Sequence, residues 1–89
     1  MSDTSTGGGV ASPLQLVIEV VARALVDQPA AVSVTETEQR GMSVLELRTA
    51  PGDMGKIIGR QGRTAAALRT VLAMTAEKHG TRAQLDIKD

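Results

Sequence analysis

Gly55-Lys56-Ile57-Ile58-Gly59-Arg60-Gln61-Gly62-Arg63 is the stretch on which the architecture turns. Two glycines bracket Arg60 and Gln61, an aliphatic pair stands before them, and an apolar helical pattern follows. The pattern predicts helix, tight loop, helix. A sharp turn is open to glycine without steric cost, and a glycine lets another backbone come close. Backbone N–H groups at the start of the second helix point outward, where the helix dipole favours negative charge. Lys56, Arg60 and Arg63 surround the loop. A close, sequence-blind, anionic contact of this kind suits a sugar-phosphate backbone.

A Gly-x-x-Gly by itself usually marks only a turn. Here the surrounding charge adds to it. From Met54 to Ala76 the chain carries Lys56, Arg60, Arg63 and Arg69 and neither Asp nor Glu, although the whole chain has formal net charge zero. Positive charge is therefore segregated locally.

Length and composition bound the rest. Eighty-nine residues imply one domain with a modest core, of marginal stability or helped by association. Hydrophobic content of 42% supports packing rather than disorder. With no cysteine, disulfides and thiolate metal sites are excluded, which fits a reducing cytoplasm. The N-terminus shows no secretory pattern. The apolar run from Leu14 to Val26 is broken by Gln15, Glu19 and Arg23 and is too short to span a bilayer. The absence of Phe, Tyr and Trp excludes nucleic-acid binders that stack bases on aromatics. Any bases bound here rest on aliphatic side chains, with weak affinity per domain.

Taken in order, residues 1–11 are rich in Ser, Thr and Gly and read as a flexible tail. Gly7-Gly8-Gly9 lacks the preceding strand and following Lys-Ser/Thr of a phosphate loop. Ser12-Pro13-Leu14-Gln15 reads as a helix start with a capping box. The helix should run from Pro13 to about Asp27 and end before Pro29. Leu14, Val17, Ile18, Val21 and Leu25 make one stripe, with Leu16, Val20 and Ala24 beside it. Glu19 and Arg23 pair on the polar side. The width of the apolar set fits core packing, and part of it also fits a partner subunit.

Ala31–Thr35 alternates as a strand, Thr37–Gly41 reads as a connection, and Ser43–Thr49 is the second strand of a hairpin. Leu45 and Leu47 face inward, and Val44 fits either side. Asp53 is the expected N-cap of a short helix, Met54–Ile58. After the glycine loop, a helix from Arg63 to Lys78 or His79 ends at Gly80. Its core face should hold Ala65, Leu68, Leu72 and Thr75 or Ala76. A second apolar line of Ala67, Val71 and Met74 either joins the same core or meets a dimer partner. Thr81–Lys88 is the last strand, with Ala83, Leu85 and Ile87 inward.

Catalytic chemistry is missing. His79 is the one imidazole and sits at a helix end, the usual place of a charge-dipole or surface residue. No His/Asp/Glu cluster has metal spacing, and Ser2, Ser5, Ser12, Ser33 and Ser43 lack a local base. Neither Walker nor dinucleotide glycine patterns fit. The chain reads as a non-enzyme with no cofactor.

Ile58-Gly59-Arg60-Gln61-Gly62 between two helices resembles the signature of the KH domain, whose loop clamps about four nucleotides. The run from Asp53 to Thr64, with Leu68-Arg69-Thr70-Val71 after it and Leu25-Val26-Asp27-Gln28-Pro29 before it, resembles the small single-domain bacterial KH proteins of the KhpA type. The resemblance covers residues 14–88. It implies an α+β type II KH domain over residues 12–89, in the order α-β-β-α-(GxxG)-α-β, with helices on one face of a three-stranded mixed sheet. The short stretch after Gly80 excludes the type I order.

The resemblance further implies single-stranded RNA binding as a broad RNA chaperone or post-transcriptional regulator. Amides around Arg60, Gln61 and Gly62 would hold phosphates, with Lys56, Arg60 and Arg63 adding charge. One of Ile57 and Ile58 would support the core while the other floors the base groove. Ala65 stands where many KH domains have a larger aliphatic residue, implying a shallower or wider floor, and Arg69 would reach a flank of the strand or serve structure. Such proteins self-associate and can pair with a larger Jag/EloR-type KH protein. The rival reading is a protein-interaction module in which the fold serves dimerisation, favoured by overall neutrality and the extra apolar lines. Single-stranded DNA binding is a third reading.

Overall fold

The computed structural model describes residues 11–89. The flexible-tail reading falls on residues outside that range, apart from Ala11. Helix α1 spans Pro13–Leu25. Ser12 caps it: its Oγ accepts from the Gln15 amide at 3.1 Å while the Gln15 side chain accepts from the Ser12 amide at 3.1 Å. This is the expected capping box. Leu14, Ile18 and Ala22 are buried along its inner face, whereas Leu16, Val20 and Leu25 are exposed. Glu19 and Arg23 pair at 2.7 Å on the outside.

The helix ends at Leu25, two residues short of the expected Asp27. Val26 is already extended, and a 3₁₀ turn follows over Pro29–Ala31. The amides of Asp27 and Gln28 donate instead to the Asp53 carboxylate, at 3.3 and 3.0 Å. A tertiary acceptor thus competes with the last helical turn.

Strand β1 is Ser33–Gln39 and β2 is Met42–Arg48. The expected connection Thr37–Gly41 is mostly strand. Thr37 lies opposite Val44, and Gln39 opposite Met42. Only Arg40 and Gly41 turn the hairpin, both at positive φ of 55° and 78°, the backbone that two-residue hairpin turns need. Glu36 and Glu38 therefore stand on β1, and the connection shrinks to two residues. Residues 31 and 32, taken for the strand start, precede it, and Val32 is buried.

Helix α2 is Met54–Ile58, helix α3 is Arg63–Lys78 and strand β3 is Arg82–Lys88. The sheet order is β1-β2-β3, antiparallel then parallel. A parallel neighbour needs a long crossover, and the segment Pro51–Gly80 supplies it. The order α-β-β-α-α-β and the mixed sheet are those of the expected α+β KH architecture. Register puts Val34, Leu47 and Ile87 in one row and Leu45 beside Leu85. These residues pack with Ile18, Ala22, Ile57, Leu68, Leu72 and Ala76 into one core. Helices cover that face of the sheet. Among the described residues no helix is long and apolar enough to cross a membrane.

Candidate nucleic-acid interface

The loop lies between α2 and α3. Gly59 ends α2 at φ 77°, ψ 169°, a region essentially reserved for glycine. Arg60–Gly62 form a 3₁₀ turn, with Gln61 at φ 57° and Gly62 at φ 73°. The Gly62 amide donates to the Gly59 carbonyl at 3.1 Å, and the Arg63 amide to that of Arg60. The amides of Arg60 and Gln61 make no such backbone bond. The expectation of three phosphate-binding amides thus narrows to two, because the turn itself uses the third. Gly62 has no side chain to cap α3, so the start of that helix remains open to an anion.

Arg60 and Gln61 are exposed. Arg60 makes no ion pair among the described residues, and the Arg63 guanidinium donates to the Gln61 side-chain oxygen at 3.1 Å. Both cations therefore stand at the loop. Lys56 does not: its ammonium lies 3.2 Å from Asp27 and 4.0 Å from Asp53. Of the isoleucine pair, Ile57 is fully buried and Ile58 is 36% exposed, which makes Ile58 the residue available to a ligand. Ala65 is buried, so its methyl lies beneath the surface.

Three hollows are lined by α3: one of about 480 Å³ at its C-terminal end, among Ala73, Ala76, Glu77 and Gly80–Ala83, and two that include expected site residues. The first of these two, about 300 Å³, lies between α3 and β3, lined by Met42, Arg69, Leu72, Ala83, Gln84 and Leu85. It runs along the open edge of the sheet, and Arg69 donates to the Leu85 carbonyl there at 3.3 Å. The other, about 310 Å³, lies between α1 and α3 and begins at Arg63 and Thr64. It is lined by Val21, Leu25, Ala67, Leu68 and Val71 and is almost wholly apolar. Val71 and Met74 are exposed beside it. Arg60, Gln61, Arg63 and Arg69 are exposed, Ile58 is partly so, Lys56 is exposed but paired with Asp27, and Ala65 is buried.

Sequence reasoning missed three groups here. Thr64 packs directly under Gly59. Asp53, read as a helix cap, makes no cap bond and is 2% exposed. Gln84 and Leu85 bring a strand edge to the hollow. Only Asp53 carried a local signal, an acid in an otherwise basic neighbourhood.

A family model described as KhpA/KhpB, KH domain matches residues 15–87. A Treponema pallidum (strain Nichols) protein named RNA-binding protein KhpA is 49% identical over 72 residues, covering 81% of this chain and 90% of that one. The protein of the same name from Aquifex aeolicus (strain VF5) is 46% identical over 76 residues, covering 85% and 96%. Among solved structures, Era in complex with MgGDPNP and a 16S ribosomal RNA segment superposes with a TM-score of 0.59 at 17% identity. That match covers 99% of this chain and 35% of Era. The chain thus spans about a third of Era's length, and the likeness concerns the fold alone. The family model matches well over half of the chain and the relatives approach half identity, and on those grounds the chain belongs to the KhpA/KhpB family of KH domains.

Proposed function

We propose that this chain is a single-stranded RNA-binding protein, a broad RNA chaperone or post-transcriptional regulator acting in the cytoplasm, and not an enzyme. The observation that carries this reading is the pair of unpartnered amides at Arg60 and Gln61, set beside two exposed guanidinium groups. The names of the family relatives support it.

In this reading Gly59–Gly62 receives the phosphate backbone, and Arg60 and Arg63 add charge-assisted bonds. Ile58 and the hollow between α3 and β3 receive bases. That hollow offers aliphatic walls together with Arg69, Gln84 and an open strand edge that can bond base edges. The domain is residues 12–89, with residues 1–11 as its tail.

The apolar hollow between α1 and α3 suits protein rather than RNA. Ala67 and Val71, which line it, and exposed Met74 on the same helix are assigned to self-association, with a second copy or a larger Jag/EloR-type KH protein as partner. A dimer presents two loops to one RNA and raises avidity. The second reading, an interaction module with weak or partner-dependent RNA binding, draws on the exposure of Val71 and Met74.

The test is titration of a labelled single-stranded RNA, and of DNA of the same sequence, with wild type beside Arg60→Asp/Gln61→Asp. Salt-sensitive binding by wild type and loss in the folded double variant, checked by circular dichroism, supports the loop as the clamp. Equal binding by both places RNA elsewhere. No binding by a dimeric wild type favours the interaction module, and equal affinity for DNA removes the preference for RNA.

A further inference from the structure

We infer that Asp53, together with Lys56, is the positioning device of the glycine loop, and that Lys56 serves this clamp rather than a phosphate. The inference rests on the reading of the loop as a phosphate-binding element, which it deepens.

Asp53 is the one carboxylate among the described residues that is almost wholly buried, its side chain 3% exposed. A buried carboxylate is costly unless paired and hydrogen-bonded. Here both oxygens are used. Oδ1 accepts from the Asp27 amide at 3.3 Å and Oδ2 from the Gln28 amide at 3.0 Å. Both amides belong to the chain that has just left α1, while Asp53 stands at the entry to α2. The carboxylate therefore ties the exit of one helix to the entry of another.

Helix α2 has five residues, too few to be stable alone. Its place comes from tertiary anchors: Ile57 in the core and Asp53 at its start. Gly59 follows immediately, so what orients α2 also orients the amides of Arg60 and Gln61. Side chains on a helix lean toward its N-terminus. Lys56 follows this rule, reaching Asp27 at 3.2 Å and Asp53 at 4.0 Å. Its ammonium is thus at the end of α2 opposite the loop, where it offsets the buried charge and latches Asp27.

The experiment uses the full chain, with Asp53→Asn, Lys56→Gln, Asp27→Asn, and Arg60→Gln as the phosphate-contact reference. Circular dichroism checks folding. Lys56→Gln alters a side chain 45% exposed and leaves the core intact should Asp53→Asn fail to fold. Amide resonances of Gly59, Gln61 and Gly62 are followed without RNA. Affinity for a fluorescein-labelled single-stranded RNA of mixed sequence is measured across a salt series. The slope of log K against log salt should fall by about 0.7 in Arg60→Gln and stay unchanged in Lys56→Gln. Asp53→Asn should weaken binding roughly tenfold and move the loop resonances, and Asp27→Asn should move the same resonances as Lys56→Gln with the salt slope unchanged.

The inference is overturned if Lys56→Gln loses slope as Arg60→Gln does and Asp27→Asn leaves the loop resonances unmoved, since Lys56 then contacts phosphate. It is also overturned if folded Asp53→Asn, or Lys56→Gln where the former does not fold, leaves the loop resonances unmoved. If wild type binds no RNA, the RNA reading fails, and the resonances alone decide the clamp.

Discussion

Gly59 lies directly against Thr64. A Cβ placed on Gly59 would stand 2.6 Å from the Thr64 Cβ and 2.8 Å from its backbone nitrogen. The loop therefore closes on itself through glycine in two ways: the backbone conformation excludes other residues, and the space is already filled. Gly62 also has positive φ, but nothing lies within 4 Å of a Cβ placed there. The two glycines of the motif do different work.

Gly59→Ala should accordingly destabilise the fold by about 2–4 kcal/mol, combining strain with overpacking. Gly62→Ala should cost only about 1–2 kcal/mol of left-handed strain. Urea unfolding of both variants checks this. Equal losses would mean that Thr64 yields to the added methyl.

The adjacent isoleucines should separate stability from binding. Ile57 is fully buried, and Ile57→Ala should cost about 2–5 kcal/mol. Ile58 is 36% exposed, and Ile58→Ala should change stability by no more than about 1 kcal/mol while weakening RNA binding. Thermal melts beside RNA titrations read both, and a large stability loss at Ile58 would contradict its placement on the ligand side.

On the outer face of the sheet, the Lys88 ammonium 2.9 Å from Glu46 is the main cause that holds its carboxyl below the ordinary 4.5. Partial burial opposes the shift, and Arg48 at 3.1 Å adds to it. A carboxylate depressed in the folded state contributes stability that is present above its unfolded value and lost as pH falls through its folded value. Wild type should therefore lose a small, salt-sensitive increment of stability below pH 4.5, and Glu46→Gln should lack that increment. Melts in acid with and without added salt measure it, and identical pH profiles for the two proteins would dismiss the effect.

The proposed self-association should depend on the outer line of α3. Met74 is 64% exposed and Val71 38%, so Met74→Asp should leave the fold within about 0.5 kcal/mol while shifting sedimentation from dimer to monomer. A dimer that survives both Met74→Asp and Val71→Asp would place the interface elsewhere.

Much of this architecture was legible in residue order. The Ser12–Gln15 capping box, the short helix Met54–Ile58, the glycine loop and α3 through Lys78 all rest on local rules, and each is found as read. The inward set Leu45, Leu47, Leu68, Leu72 and Leu85 followed from periodicity. The second half of β1 was not legible. Thr37, Glu38 and Gln39 carry no apolar alternation, and they are strand because Val44, Ser43 and Met42 lie opposite. The C-terminus of α1 was misjudged for a related reason, since its competing acceptor is 25 and more residues away.

The amino-acid order alone determined the loop, its flanking helices and the segregation of positive charge about it, because turns, caps and helical periodicity act over a few residues. Tertiary structure alone decided where the charged groups went. Asp53 had a local reading as a cap and Lys56 as a phosphate ligand. Folding brought the end of α1 against the start of α2 and gave both residues other partners. A buried carboxylate takes whatever donors the packed chain places beside it, and their identity depends on contacts between segments far apart in sequence.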